Sequence, residues 1–260
     1  MKITCQNSML SKSKRKKSAL GMSIVFLVIL FASDIYGQKT IEIPMRDGIK
    51  LATDLYFPGS ESGPFPVILM RTPYNKDMLK PYGTYFSRHG FVYAIQDVRG
   101  RFGSQGDWEP FINEGEDGYD SIEWLAAQEW STGKVGMYGG SYSAFVQFAA
   151  AILKPPHLVT LVPNISSATP FDNMPYEGGV LVMGGNIRWV DIIENAKTAA
   201  DMQKKAKEIF TKDWNSLLSF LPVIDLDKKI LGKGIPYWRR WVKHNTDDSY
   251  WKKVNYLEKL

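Results

Sequence analysis

The sequence predicts an α/β fold in which a mostly parallel sheet is covered by helices on both faces. Two observations support this class. Six runs rich in β-branched and aromatic residues follow one another along the chain, and from the third onward they are separated by stretches with helical periodicity. The first two runs have no helix between them, which indicates an antiparallel pair, whereas strand–helix–strand units give parallel strands.

Each predicted element follows from its own stretch of sequence. The predicted strands, in chain order, are 40–45, 50–57, 65–71, 91–98, 134–139 and 157–165, and the predicted helices are 77–88, 114–128 and 142–153. From about Asn186 the strand signals stop, and long amphipathic helical stretches follow. We therefore predict a sheet domain over residues 38–185 and a helical cap over residues 186–260.

The first 37 residues differ from the rest of the chain in charge and hydropathy. A basic stretch is followed by an apolar run over residues 20–32 and then by polar and small residues that end in Gly37. This order is typical of a secretory signal peptide. We predict a signal peptide over residues 1–37 and a secreted or periplasmic protein. An uncleaved membrane anchor is the alternative, because apolar residues resume at Ile35.

The net charge of +5 comes from the same segment. Residues 1–37 hold six of the 32 basic side chains and one of the 27 acidic ones, so the remainder carries 26 of each sign. Residues 38–260 therefore have no net positive charge that would attract nucleic acid. We expect no nucleic-acid partner, and a membrane partner only if the N-terminal segment stays uncleaved. The only cysteine, Cys5, lies in that segment, so a cleaved protein would have no disulfide.

The stretch "KVGMYGGSYSAF", residues 134–145, joins a predicted strand to a predicted helix through a short glycine-bearing turn. A serine in such a turn is the geometry of a nucleophile elbow. Gly139 and Gly140 are expected where a side chain would collide between strand and helix. The helix N-terminus behind Ser141 offers a positive end to a developing oxyanion. We predict Ser141 as a catalytic nucleophile.

Other interpretations of the same turn fit less well. A phosphate loop requires a lysine after the glycines, and none is present. A dinucleotide-binding turn requires G-x-G-x-x-G and an acidic residue after the next strand, and the sequence has neither. A plain Gly-Ser turn without chemistry stays open. We expect no cofactor and no metal.

Several motifs resemble one enzyme family. "EDGYDSIEWLAAQEWSTGKVGMYGGSY", "IPMRDGIKLATDLYFP", "RTPY" and "DVRGRFGSQGDW" are similar to the Xaa-Pro dipeptidyl-peptidase-like family, which includes cocaine esterase-like (CocE/NonD) enzymes and α-amino acid ester hydrolases. The resemblance runs from about Ile41 to the end of the chain. It implies an α/β-hydrolase core with an inserted helical cap. The family pattern G-x-S-Y-x-G has Ala144 in place of its last glycine here.

The resemblance also implies the roles of three residues. Ser141 would form an acyl-enzyme, the backbone N–H of Tyr142 would be one oxyanion donor, and the phenol of Tyr74 would be the second. Tyr74 also follows the predicted strand 65–71, in the loop where hydrolases of this fold supply that donor. An ordinary packing aromatic is the alternative for Tyr74. For Asp97, Arg99 and Arg101, we expect a structural role.

A serine nucleophile needs a histidine base and an orienting carboxylate, in the order Ser, Asp, His for this fold. His89 precedes the nucleophile strand, His157 begins a strand at the wrong edge, and His244 lies in the cap. By resemblance, the acid and the histidine belong after the cap, beyond Leu260. We therefore expect the N-terminal part of a longer enzyme.

The predicted function is a secreted serine hydrolase that cleaves a small-molecule ester or amide, or a short peptide. A non-catalytic protein that binds an acyl or peptide ligand in the same pocket is the alternative. Asp172 and Glu177 do not form the acidic pair that holds a substrate ammonium in amino-acid ester hydrolases of the family, so we expect no strong need for a free α-amino group in the substrate.

One or two of the tryptophans are expected to line an acyl pocket, the candidates being Trp189, Trp214, Trp238 and Trp241. The strand 157–165 is expected to leave an unpaired apolar edge, formed by Leu158, Val159, Leu161 and Val162.

Overall fold

A twisted sheet lies at the centre of the computed structural model, which describes residues 37–59 and 63–260. Within those residues the sheet has six strands in the order β1-β2-β4-β3-β5-β6. The strands are β1 (Gln38–Pro44), β2 (Lys50–Tyr56), β3 (Phe65–Thr72), β4 (Val92–Asp97), β5 (Ser131–Gly140) and β6 (Leu158–Asn164). Each lies within three residues of its predicted bounds.

The pairing of the strands confirms the predicted fold class. β1 pairs with β2 in antiparallel fashion, with Gln38 opposite Tyr56 at one end and Pro44 opposite Lys50 at the other. β2 is also antiparallel to β4, whereas β3 is parallel to both β4 and β5, and β5 is parallel to β6. The carboxyl ends of β3 and β5 therefore meet at the same edge of the sheet.

Helices cover both faces of the sheet. They are α1 (Lys80–Ser87), α2 (Glu114–Ala126) and α3 (Tyr142–Ala151). Along β3, Val67 and Leu69 belong to the core that α2 and α3 cover, while Ile68 and Met70 contact the cluster beneath α1. This alternation is the side-chain period of a strand that is buried on both faces. The predicted helix 77–88 is divided, because a 3-10 turn at Lys76–Leu79 precedes α1.

Beyond β6 the chain becomes helical, apart from one short hairpin. The elements are α4 (Pro170–Asn173), β7 (Tyr176–Glu177), β8 (Val180–Leu181), α5 (Met183–Asn195), α6 (Ala199–Glu208), α7 (Trp214–Leu218), α8 (Leu226–Leu231), α9 (Pro236–Lys243) and α10 (Ser249–Lys252). The hairpin was not predicted, because two-residue strands are too short to show a period. The division into a sheet domain and a cap stays a prediction.

Strand β6 forms one edge of the sheet in the described part of the chain, since it pairs only with β5. Val159 and Val162 are exposed, as expected. The expectation was wrong for Leu158 and Leu161, which are partly buried because they pack against the main core.

The predicted signal peptide, residues 1–37, lies outside the described residues except for Gly37. Among the residues that are described, helices with the length and hydropathy needed to cross a bilayer are not found.

Candidate active site

The turn at Ser141 is strained and firmly held. β5 ends at Gly140, α3 begins at Tyr142, and Ser141 between them has φ 56° and ψ −123°. A positive φ is costly for a residue other than glycine and persists only where its surroundings enforce it. Here the Ser141 N–H donates to the Asn164 carbonyl at 3.0 Å, and the Ser141 carbonyl accepts from the N–H of Ala144 at 2.9 Å. These bonds leave the Ser141 side chain exposed at the edge of the sheet.

The two glycines of the turn are not equivalent. A Cβ on Gly139 would lie 2.6 Å from the Cβ of Ser143, on the helix that the turn starts. A Cβ on Gly140 would lie 3.4 Å from the Asn164 carbonyl oxygen, which is an ordinary contact. The close approach of strand and helix therefore requires glycine at position 139 only.

The phenol of Tyr74 lies beside Ser141. Tyr74 is in the loop after β3, and its hydroxyl oxygen accepts a hydrogen bond from the Trp189 indole Nε1–H at 3.2 Å. Burial raises the pKa of the Tyr74 phenol, while the Ser141 hydroxyl, the Trp189 indole and the Tyr142 backbone N–H pull that pKa down. The net shift is upward, so the phenol is protonated at neutral pH and can donate. The structure thus brings together all three residues predicted for the site.

A cavity of about 430 Å³ opens at this point. Its lining includes Ser141, Tyr142 and Tyr74 together with an aromatic wall, formed by Phe111, Phe145, Trp189 and Trp241. The polar residues of the lining are serines and asparagines, among them Ser166 and Asn186. Of the described residues that line the cavity, none carries a charged side chain. Trp189 and Trp241 meet the expectation of a tryptophan-lined pocket, whereas Trp238 is in the core.

The three histidines are engaged elsewhere in the described part of the chain, and none lines the cavity. The ring Nδ1 of His89 lies 2.7 Å from the Tyr85 carbonyl, that of His157 lies 2.7 Å from Glu123, and that of His244 lies 2.6 Å from Asp248. The structure therefore agrees with the sequence: none of the three histidines is placed to act as the catalytic base for Ser141.

The residues after β4 have structural contacts. Asp97 accepts the backbone N–H of Lys76 at 2.8 Å, and burial raises its pKa to about 6. Arg99 binds Asp117 and Asp47. The Arg101 guanidinium lies 4.7 Å from the centre of the Trp108 ring. These contacts fit the structural role that we expected.

An ion pair links the loop that carries Phe111 to helix α9, which carries Trp241. The Glu109 carboxylate, in the loop after β4, accepts Arg240 Nε–H at 2.8 Å, binds Arg240 Nη2 and accepts the Tyr250 hydroxyl at 2.9 Å. Arg240 lies on α9, next to Trp241, whose ring stacks on Phe111 at 5.9 Å. Sequence reasoning missed this contact, since residues 131 positions apart carry no shared local pattern.

Sequence reasoning also missed Arg71 and Glu114. In the sequence Glu114 is one of several acidic residues in the first turn of a predicted helix, where negative charge favours the helix dipole, but its side chain is buried and accepts the Tyr142 hydroxyl at 2.7 Å. Arg71 is fully buried in β3 and pairs with Glu114 at 3.0 Å. The available signal was an arginine inside a predicted buried strand, which needs a buried partner.

A serine held at a strained turn between a parallel strand and the next helix, at the carboxyl edge of a mostly parallel sheet, defines the α/β-hydrolase class. Comparison with known families identifies the group. The model of the X-Pro dipeptidyl-peptidase family (S15) matches residues 47–260, and the chain belongs to this family of hydrolases. The predicted fold and family are both confirmed.

Known relatives agree with this assignment. The chain is 32% identical over 240 residues to cocaine esterase from Rhodococcus sp. (strain MB1 Bresler), which covers 85% of this chain and 41% of the esterase. The fold of this chain is similar to that of an α-amino acid ester hydrolase, with a TM-score of 0.70 and 23% identity. The match covers 94% of this chain and 43% of the hydrolase. A CocE/NonD family hydrolase from Staphylococcus aureus has a TM-score of 0.64, 23% identity and coverage of 85% and 38%. The chain thus spans about two fifths of the length of these relatives.

Proposed function

We propose that the protein is a serine hydrolase that cleaves an ester or amide through an acyl-enzyme on Ser141. One observation carries this proposal. The Tyr74 phenol interacts with the Ser141 hydroxyl, and the Tyr142 backbone N–H interacts with the same phenol, within one cavity. Two donors beside an exposed serine form an oxyanion hole, which stabilises the negative charge that develops on a carbonyl oxygen under attack.

The proposed chemistry has two steps. The Ser141 oxygen attacks the substrate carbonyl carbon and loses its proton to a base, and the carbonyl oxygen becomes an oxyanion bound by Tyr142 N–H and Tyr74 O–H. The C–O or C–N bond then breaks, and the leaving alcohol or amine takes up the proton. In the second step, water attacks the acyl-enzyme in the same way, which releases the acid and restores Ser141.

The cavity supports an uncharged, apolar acyl group as the substrate. Six of its fourteen described lining residues are aromatic, and Asp172 and Glu177 are not among them. A substrate ammonium would be desolvated there without a carboxylate partner, which is costly. Two relatives are named for ester substrates, cocaine esterase and α-amino acid ester hydrolase. We therefore propose a small neutral ester or amide, with no requirement for a free α-amino group.

A fluorophosphonate probe tests the nucleophile. The full natural chain is treated with the probe, and the labelled residue is identified by peptide mass spectrometry. We expect label on Ser141, no label after Ser141→Ala, and unchanged labelling after Ser166→Ala, a matched change of another serine in the cavity. A folded protein that takes no label but binds neutral acyl ligands would instead support the non-catalytic alternative.

We also propose that the protein is exported. The basic and apolar order of residues 1–37 supports this. Residues 1–37 fused to a phosphatase reporter that is active only outside the cytoplasm should give activity, and replacement of Val25 and Leu27 by arginine should abolish it. Equal reporter activity from both fusions would contradict export.

A further inference from the structure

Four polar side chains form a buried cluster beneath the elbow. Arg71, at the carboxyl end of β3, has no exposed surface. Its Nε–H donates to Gln96 Oε1 at 2.8 Å, and its Nη1 donates to the backbone carbonyl of Glu114 at 2.8 Å. The same Nη1 lies 3.0 Å from Glu114 Oε2, and Nη2 lies 3.6 Å from Asp117 Oδ2. The guanidinium therefore holds the backbone of Glu114 by a hydrogen bond and lies within ion-pair distance of its carboxylate.

The cluster extends to a second arginine. Asp117 is shared with Arg99, whose Nε–H donates to Asp117 Oδ2 at 3.0 Å. Arg99 also pairs with the half-exposed Asp47, so two guanidinium groups face three carboxylates. A buried charge without a partner is strongly destabilising, so each member of the set is needed for the others.

One carboxylate oxygen of Glu114 points away from this cluster and toward the elbow. Glu114 Oε1 accepts the Tyr142 hydroxyl at 2.7 Å, and the Phe111 N–H donates to the same phenol oxygen at 2.9 Å. The Tyr142 ring stacks on Phe111 at 5.3 Å and on Trp189 at 6.3 Å. The side chain of Tyr142 is therefore held at its hydroxyl by two hydrogen bonds and at its ring by two aromatic neighbours.

We propose that Glu114 is a positioning residue: through the Tyr142 phenol it fixes the first residue of α3, and with it the backbone N–H that faces the oxyanion. This inference rests on the function proposed above. The hydroxyl that Glu114 binds and the N–H that faces the oxyanion belong to the same residue, Tyr142. A change in the hydrogen bond of the side chain therefore shifts this N–H directly. A displacement of about 1 Å in a catalytic group lowers the rate by about 100-fold, so a hydrogen bond that prevents such a displacement supports catalysis.

Kinetics of ester hydrolysis with the full natural chain test the proposal. Glu114→Gln keeps the size of the side chain but replaces the carboxyl group by an amide, whose oxygen is a weaker acceptor, and Tyr142→Phe keeps the ring stack but removes the hydroxyl. We expect Tyr142→Phe to lower kcat by about 10-fold and Glu114→Gln by up to that amount, with KM changed less than about twofold, because the net loss of one hydrogen bond has roughly that value. The double variant should be no slower than the slower single variant, since one change weakens and the other removes the same link.

A matched control separates positioning from general loss of charge on the helix. Glu116→Gln changes an exposed glutamate of α2 whose partner is Arg46, and it should leave kcat and KM unchanged. Multiplying effects in the double variant, an effect on KM alone, or wild-type kcat in both single variants would each overturn the proposal. Should Glu114→Gln fail to fold, Tyr142→Phe still decides, because its ring packing is kept.

A second readout does not depend on activity. Amide hydrogen exchange over residues 139–146 should be faster in Glu114→Gln and Tyr142→Phe than in wild type or Glu116→Gln, and equal rates would overturn the anchoring. If wild-type protein neither labels with fluorophosphonate nor hydrolyses esters, the proposed function fails, while the exchange rates still decide whether Glu114 anchors the elbow.

Discussion

The indole of Trp189 donates a hydrogen bond to the hydroxyl oxygen of Tyr74 at 3.2 Å. Trp189 lies on α5, in the helical part of the chain, whereas Tyr74 follows a strand of the sheet. The bond occupies an acceptor site of the phenol and leaves its O–H to donate toward the position of the Ser141 hydroxyl. A residue from the helical part therefore orients the predicted oxyanion donor.

Replacing Trp189 with phenylalanine should lower kcat for ester hydrolysis by about 3- to 10-fold, because a neutral hydrogen bond contributes about 0.5–1.5 kcal/mol. Steady-state kinetics measure the effect. Trp238→Phe is the matched control, since that indole also donates at 3.2 Å, to the Ile224 carbonyl, but lies in the core. The control should lower thermal stability and leave kcat unchanged. Equal kcat in both variants would show that the bond has no role.

Tyr74→Phe removes the proposed oxyanion donor itself. We expect kcat to fall by about 100- to 1,000-fold with little change in KM, because the interaction strengthens only in the transition state. An unchanged kcat would assign Tyr74 to packing. A matched aromatic hydroxyl is that of Tyr176, which binds the Trp241 carbonyl at 2.8 Å, and Tyr176→Phe should have a far smaller effect.

Gly139→Ala should destabilise the protein by about 2 kcal/mol, because its Cβ would overlap the Ser143 Cβ at 2.6 Å. Urea unfolding monitored by tryptophan fluorescence measures the change. Gly140→Ala makes only an ordinary contact, at 3.4 Å, and should cost less than about 1 kcal/mol. The reverse order of the two effects would contradict the geometry of the turn.

The stability of the protein should depend on the titration of Asp97. Burial raises the pKa of Asp97 from 3.8 to about 6, so the folded state binds this proton more tightly than the unfolded state does. The contribution to stability is therefore present below pH 3.8 and is lost as the pH rises through about 6. The unfolding free energy of wild type minus that of Asp97→Asn should fall by about 2–3 kcal/mol from about pH 4 to about pH 7. A difference that is independent of pH would show an ordinary pKa.

The edge of β6 that is free among the described residues should promote association between copies of residues 38–260 expressed alone. A strand that is paired on one side only, with Val159 and Val162 exposed, offers backbone groups and apolar surface to another strand. Val159→Lys should raise the monomer fraction in size-exclusion chromatography with light scattering. Val180→Lys changes an equally exposed valine in the β7–β8 hairpin and should have no effect. An identical shift in both variants would indicate that added charge alone is responsible.

The strands and the helices that cover the sheet could be predicted because each shows its own periodicity of apolar residues in the sequence. The strands of the sheet and helices α2 and α3 have clear periods of 2 and 3.6 residues, and the elbow combines a strand, glycines and a helix within twelve residues. Tyr74 was assigned by its resemblance to the family motif, and the position of its loop after a recognisable strand agreed with that assignment. These features depend on neighbours in sequence, and the sequence alone reveals them.

Contacts between distant segments were not predictable in the same way. Glu114 is one of three acidic residues in the first turn of α2, and only the position of Arg71 in β3 shows that Glu114 and Asp117 are buried whereas Glu116 is exposed. The bond from Trp189 to Tyr74 joins residues 115 positions apart. Such contacts depend on how distant helices and strands pack together, and no short stretch of the sequence shows that packing.

The bond between Glu109 and Arg240 has a consequence for protein engineering. The Arg240 side chain is 42% exposed, so the pair that links the Phe111 loop to α9 lies partly in solvent, where an ion pair contributes little and salt weakens it. Directed evolution of substrate range could therefore begin at Glu109, because a substitution there removes a contact of α9 at little cost in stability and leaves every described lining residue of the cavity unchanged.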